Sequence, residues 1–202
     1  ISCVHTLRTA QSAVLSLLRE VVKVRKRPVV LGVEMLHAAH VTAANNLIAG
    51  RLTSSDFRKA VRWKKSWGFP WQSFGRFFDF ARTHNVPLFG LNINADERVN
   101  SLTWRDDYAA ELVSSLAQLY PDRLIAVVYG DLHIAPAHLP KLVDDKLAHF
   151  GVKKRHIQLY QNSEELYWLL VERRLEHVVD ILKVKRDAYC IMNATPLVKY
   201  QS

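Results

Sequence analysis

The chain holds only two cysteines, Cys3 and Cys190, among 202 residues. Two cannot make a disulfide framework, and no C-x-x-C pair offers a zinc or redox site. Each reads as a small apolar residue in a strand. Glycine and proline are sparse as well, at seven each. With no repeat or low-complexity tract, that excludes collagen-like and disordered classes. No apolar run reaches the ~20 residues of a membrane-spanning helix. Acidic residues are the minority, 19 against 28 Lys and Arg, for a net charge of +9. The basic residues are scattered, and no nucleic-acid module accompanies the one aromatic–basic stretch, Trp63-Lys-Lys-Ser-Trp67. The excess reads as a solvated surface, with no nucleic acid among the partners. Its densest run, Lys23 to Arg27, closes a predicted helix, where cations favour the helix dipole. A Walker loop, a Rossmann glycine fingerprint, a G-x-S-x-G elbow and an H-E-x-x-H helix are all missing. The common nucleotide-binding, serine-hydrolase and zincin readings go with them.

What is present is a globular composition, 49% hydrophobic and 23% charged. A chain this long buries a core without disulfides or a structural metal. Short extended runs alternate with helical stretches. Strands are expected over residues 1–4, 29–33, 87–91, 124–128 and 157–160, with extended runs at 178–184 and 189–192. Helices are expected over 9–26, 36–49, 57–63, 72–83, 107–120 and 139–150, and again from 163. The alternation predicts an α/β class: a mostly parallel central sheet with helices on both faces, one domain over residues 1–202. The first strand lacks a lead-in and Tyr200-Gln-Ser202 lacks a stop signal, so both ends read as incomplete. A cytoplasmic domain and one anchored to a membrane through an unseen N-terminus both stay open.

In open α/β sheets, ligand groups collect beyond the carboxyl ends of the strands. His5 follows the first strand and Glu34 the second. Asn92 and Asn94 follow the third. Asp131 and His133 follow the fourth, behind Gly130. The expected binding set is His5, Glu34, Asn92, Asp131 and His133. Two imidazoles and a carboxylate, His5, Glu34 and His133, suit a transition metal. The same set could run acid–base chemistry, with Glu34 or Asp131 as the candidate catalytic carboxylate. Gly130 is expected to let the backbone turn sharply. Glu34-Met-Leu-His37 has the E-x-x-H spacing of di-iron helices, but such a site needs two copies and one is present. His37 and His40 are expected on an exposed helix face or a pocket rim. His138 either joins the pocket or simply precedes Pro140. Tyr129 and the tryptophans at 63, 67 and 71 read as core, with the tryptophans alternatively roofing an apolar pocket.

An ordered set of segments adds to this. It runs Leu31-Gly-Val-Glu-Met-Leu36, Ala49-Gly-Arg-Leu52, Trp63, Trp67-Gly-Phe-Pro-Trp71, Phe80-Ala81, Val86-Pro-Leu-Phe-Gly-Leu-Asn92, Val128-Tyr-Gly-Asp-Leu-His133 and Leu139-Pro140. It resembles the ChaN-like family of haem-binding proteins, within the wider group of erythromycin-esterase-like and TraB/TIKI-like proteins. Family members carry G-E-x-H after the first strand. Here Ser2-Cys3-Val4-His5 keeps the His but has Cys3 in the acidic place. The resemblance implies a bacterial haem-binding or iron-handling protein, in some members a lipoprotein or a homodimer. It implies haem as the cofactor, with His or Tyr as the iron ligand; among this chain's own residues His133 is the expected ligand, with His5 next. The wider group implies an alternative, a peptidase- or esterase-like hydrolase holding a divalent metal on His5, Glu34 and His133. Cys3 leaves a third, a scaffold without chemistry.

Overall fold

Nine consecutive residues, Val29–His37, form strand β1, and all nine are buried. Parallel neighbours flank it on both sides: β2 (Leu88–Asn92) and β3 (Leu124–Val128), in the order β2-β1-β3. A strand hemmed in at both edges and covered on both faces reads as a near-continuous apolar run, broken here only by Glu34 and His37 toward its end. The computed structural model describes residues 1–3, 5–93 and 101–201. Side chains alternate across β1. Val29, Leu31, Val33 and Met35 enter one core, with residues of α1 (Arg8–Arg19), α2 (Val41–Ile48), α3 (Ser54–Ala60) and α5 (Trp71–His84). Val30 enters the opposite core, with Leu91, Tyr129 and the apolar stripes of α6 (Leu102–Leu119) and α7 (Leu139–His149). This is the mostly parallel sheet with helices on both faces that the alternation predicts.

Several element bounds differ from expectation. No helix starts at Leu36. The strand persists to His37, one tight 3₁₀ turn covers Ala38–His40, and α2 begins at Val41. Met35 and Leu36 fit a buried strand as well as a helix, and pairing of His37 with Asn92 decides the matter. The β1–β2 register shifts between Val33 and His37. There β2 presses on β1 so closely that a Cβ on Gly90 would stand 2.5 Å from the Leu36 carbonyl oxygen. Only glycine fits such an approach. Helix α1 ends at Arg19 and widens into a π-helical turn, Glu20–Val24, before Lys26 turns left-handed and Pro28 restarts the chain. Thr53 caps α3 as the Thr-Ser-Ser-Asp run predicts, its Oγ1 accepting from the Asp56 N–H at 3.1 Å. The Trp-rich segment folds around a short α4 (Trp63–Ser66), and Trp63, Trp71, Phe74, Phe57 and Phe78 pack in tilted and edge-on pairs.

The strand expected over residues 1–4 reduces to Ile1–Cys3, and Val4 lies outside the described residues. Ser2 bridges Tyr129 in parallel, and Cys3 donates to the Tyr129 carbonyl at 2.9 Å. On its other side, the Ser2 N–H donates to the Leu159 carbonyl at 2.7 Å, and Gln161 Nε2 donates to the Ser2 carbonyl at 2.7 Å. This tripeptide stitches the first sheet to a second, ordered β4-β6-β5. In it, β4 (Gln158–Gln161) and β6 (Ala188–Ile191) are parallel, while β5 (Ile181–Lys185) is antiparallel to β6. Helices α8 (Glu164–Glu172) and α9 (Pro196–Gln201) belong to the same half. Cys3 and Cys190 are both buried and free. Among the described residues, no helix is long and apolar enough to cross a membrane.

Candidate functional site

The carboxyl ends of β1 and β3 meet the start of α6, and a polar cluster forms where they do. Glu34 lies near the end of β1, on the face that looks toward α6. Its buried carboxylate is met by four polar groups. Oε2 accepts from the Gly130 N–H at 2.6 Å and sits 3.2 Å from His5 Nε2. Oε1 accepts from Arg105 Nη2 at 2.8 Å and lies 3.5 Å from His133 Nε2. Burial by itself lifts this carboxyl. The His5 hydrogen bond, the charges of His5 and His133 and the Gly130 N–H outweigh it and hold the pKa below the ordinary value.

A second buried carboxylate backs the first. Asp106 is fully enclosed. One of its oxygens takes a short hydrogen bond from His133 Nδ1, and the other takes one from His138 Nδ1 at 2.9 Å. An ionised carboxylate only accepts, so both imidazoles turn their Nδ1–H inward. Both sit on the loop after β3. The loop folds back through His133 N–H to the Gly130 carbonyl and His138 N–H to the Ala135 carbonyl. Tyr129 packs edge-on to His133 with ring centroids 4.7 Å apart. Burial, with the negative charge of Glu34, pushes its phenol pKa upward, so it stays protonated. The chain turns at Gly130, through the His133 N–H to its carbonyl, without a left-handed φ there. The glycine's role is closeness: a Cβ there would stand 3.2 Å from Glu34 Oε2.

The structure therefore brings His5, Glu34 and His133 into one cluster. It does not bring Asp131 there. That carboxylate is exposed and lies 4.0 Å from Lys199 Nζ. Asn92 is buried at the end of β2, where its Oδ1 accepts from the adjacent Ile93 N–H at 3.0 Å. Asn94 lies outside the described residues. His37 is buried rather than exposed, because its position belongs to β1, and its ring stacks on His40 at 5.6 Å. Burial, followed by the charges of His40 and Arg105, lowers its pKa. Trp67 and Phe69 flank His5 at 4.6 and 5.1 Å, while Trp63 is core. Arg105 and Asp106 have no counterpart in the sequence-level set. A signal for Asp106 existed: it falls in phase with Ala109, Ala110, Val113 and Ala117 on the buried stripe of α6.

These donors do not fit a metal ion. His5 and His133 approach different oxygens of Glu34, and the Arg105 guanidinium already fills one lone-pair site with positive charge. Among the described residues, no group of three acidic, imidazole or thiol side chains is placed to hold a metal. The cluster's own chemistry is to fix imidazoles by carboxylates and to keep charge balanced out of water.

Residues 3–101 match the family described as haem-binding uptake, Tiki superfamily, ChaN. The chain is ChaN-like. The match spans His5, Glu34 and Asn92 and stops short of Arg105, Asp106, His133 and His138. A structure of cofacial heme binding to ChaN of Campylobacter jejuni is 12% identical, with a TM-score of 0.50, covering 79% of this chain and 78% of that one. At that identity the likeness bears on the fold alone. RRSP, a MARTX toxin effector domain from Vibrio vulnificus, is 16% identical with a TM-score of 0.44, over 61% of this ChaN-like chain. A structure described as bacterial protein toxins gives 19% and 0.45, over 60%. The match spans about a quarter of each of those two chains, 25% in both cases. No curated protein matches the sequence.

Proposed function

We propose that this ChaN-like domain binds haem at the strand-end cluster. One observation carries the reading, in a chain of a haem-binding family: two partly exposed imidazoles, each held by a buried carboxylate. His5 is 21% exposed and rests on Glu34, and His138 is 35% exposed and rests on Asp106. Haem iron accepts an axial imidazole, and a ligating His commonly hands its other ring nitrogen to a carboxylate. The rest of the site suits a porphyrin. Trp67 and Phe69 offer flat apolar surface beside His5. The Trp67 indole N–H is buried without a partner among the described residues. Arg105, 23% exposed, supports a propionate through its remaining N–H groups. The physiological role that follows is haem or iron handling.

Hemin titration tests the reading. Purified protein is expected to give a saturable Soret change at a fixed stoichiometry, with parallel quenching of tryptophan fluorescence. Linear uptake without saturation, as loose adsorption on a basic surface gives, would reject it.

A further inference from the structure

We propose that His138, through Nε2, is the iron ligand, and that Asp106 is the positioning residue that sets its orientation and basicity. This rests on the haem reading above. The three imidazoles of the cluster are not equivalent. His133 is sealed, with a side chain only 6% exposed, Nδ1 on Asp106 and Nε2 facing Glu34. His5 commits Nε2 to Glu34, and Trp67, Phe69 and Phe74 crowd its ring edge-on. His138 alone combines an engaged Nδ1 with a ring open to solvent. Its Nε2 makes no hydrogen bond among the described residues.

That pattern is what an axial ligand requires. Iron takes the lone pair of a neutral imidazole, so the proton must stay on the opposite nitrogen. Asp106 keeps it there, at 2.9 Å from Nδ1. A buried carboxylate in that place raises the electron density on the ligating nitrogen. The brace itself is rigid, because its other oxygen is tied to His133, whose ring is tied in turn to Tyr129. The backbone of His138 is fixed from both sides: its N–H donates to the Ala135 carbonyl, and its carbonyl accepts from Leu142 in the first turn of α7. The approach is apolar. Leu132 is 73% exposed, and Pro136 and Ala137 are exposed with it, so apart from Asp131 at its start the loop carrying His138 presents uncharged surface to a porphyrin face.

The test compares hemin-loaded wild type with His138→Gly, His133→Ala and Asp106→Asn, by absorption, electron paramagnetic resonance and redox titration. His138→Gly should lose the axial-nitrogen signature, and added imidazole should restore it. That rescue separates a lost ligand from a lost fold. His133→Ala loosens the Asp106 brace but should keep the axial-nitrogen signature, because the ligand itself remains. Asp106→Asn should keep nitrogen ligation but raise the reduction potential, since a neutral acceptor makes imidazole a weaker donor. If wild type takes up no hemin saturably, the haem reading falls and this assignment with it. If wild type binds and His138→Gly shows the same ligand spectrum, the ligand assignment alone is overturned.

Discussion

Replacing Glu34 by Gln changes little in shape and removes one charge from the centre of the cluster. The carboxylate faces the Arg105 guanidinium at 2.8 Å, the Gly130 N–H at 2.6 Å and His5 at 3.2 Å. Gln can still accept from Gly130, but Arg105 loses its counter-charge. Breaking a buried ion pair by removing one partner costs ~3–5 kcal/mol. Arg105 keeps some hydration at 23% exposure, which places the expected loss near the lower end, about 3 kcal/mol. The pH dependence identifies the cause. The folded-state pKa of Glu34 is depressed below 4.5, so its stabilisation is complete above that value and is lost as pH falls through the folded-state pKa. Wild type should therefore outlast Glu34→Gln in urea at pH 7. The gap should begin to close below pH 4.5 and vanish once the wild-type carboxyl is itself protonated. Equilibrium unfolding followed by tryptophan fluorescence, from pH 7 into acid, measures this. A gap under ~0.5 kcal/mol at pH 7, the scale of an ordinary surface change, or one that persists unchanged in acid, would refute the charge argument.

Further outcomes follow from the packing. Burial, then the negative charges of Asp131 and Glu34, push the Cys3 thiol up to about 12. Native protein should therefore resist alkylation at Cys3 at pH 8, and urea should expose it; rapid native labelling, located by mass spectrometry, would contradict the buried seam. Gly90→Ala drives a methyl group into the Leu36 and His37 carbonyls, at 2.5 and 2.6 Å, and neither backbone can yield. A loss of ~3 kcal/mol, or failure to accumulate folded protein, is expected, and an unchanged Tm would show that β1 and β2 are not so tightly apposed.

Much of the cluster can be read from the chain because strand ends are where an α/β sheet leaves room for polar groups. The runs at Val29 and Leu124 announce themselves, with Glu34 directly past the first and His133 five residues past the second. The cluster's second carboxylate is harder. Asp106 and Asp107 are adjacent, and only the phase of α6 says which one faces inward. The stripe Ala109, Ala110, Val113, Ala117 selects Asp106, while Asp107 and Glu111 on the outer face both hold Lys146 at 3.1 Å. Setting the start of that helix at residue 107 hides the signal, because Arg105 and Asp106 then read as loop. The end of β1 is ambiguous for a different reason. A short apolar run such as Met35-Leu36 satisfies either period, and only the partner strand, absent from local sequence, resolves it. The displacement of Asp131 could not be foreseen locally either. It stands two residues from His133, yet its charge looks toward Lys199 near the far end of the chain.

The tripeptide Ile1–Cys3 is grouted between two panels that share no other strand pairing among the described residues. Its carbonyls and amides are divided between Tyr129 on one side and Leu159 and Gln161 on the other. His5 follows it by two residues, so that imidazole inherits its height above the sheet from this joint. The carboxyl-terminal panel lends the cluster no side chain among the described residues. It nonetheless acts as the abutment against which one of the cluster's imidazoles is levelled.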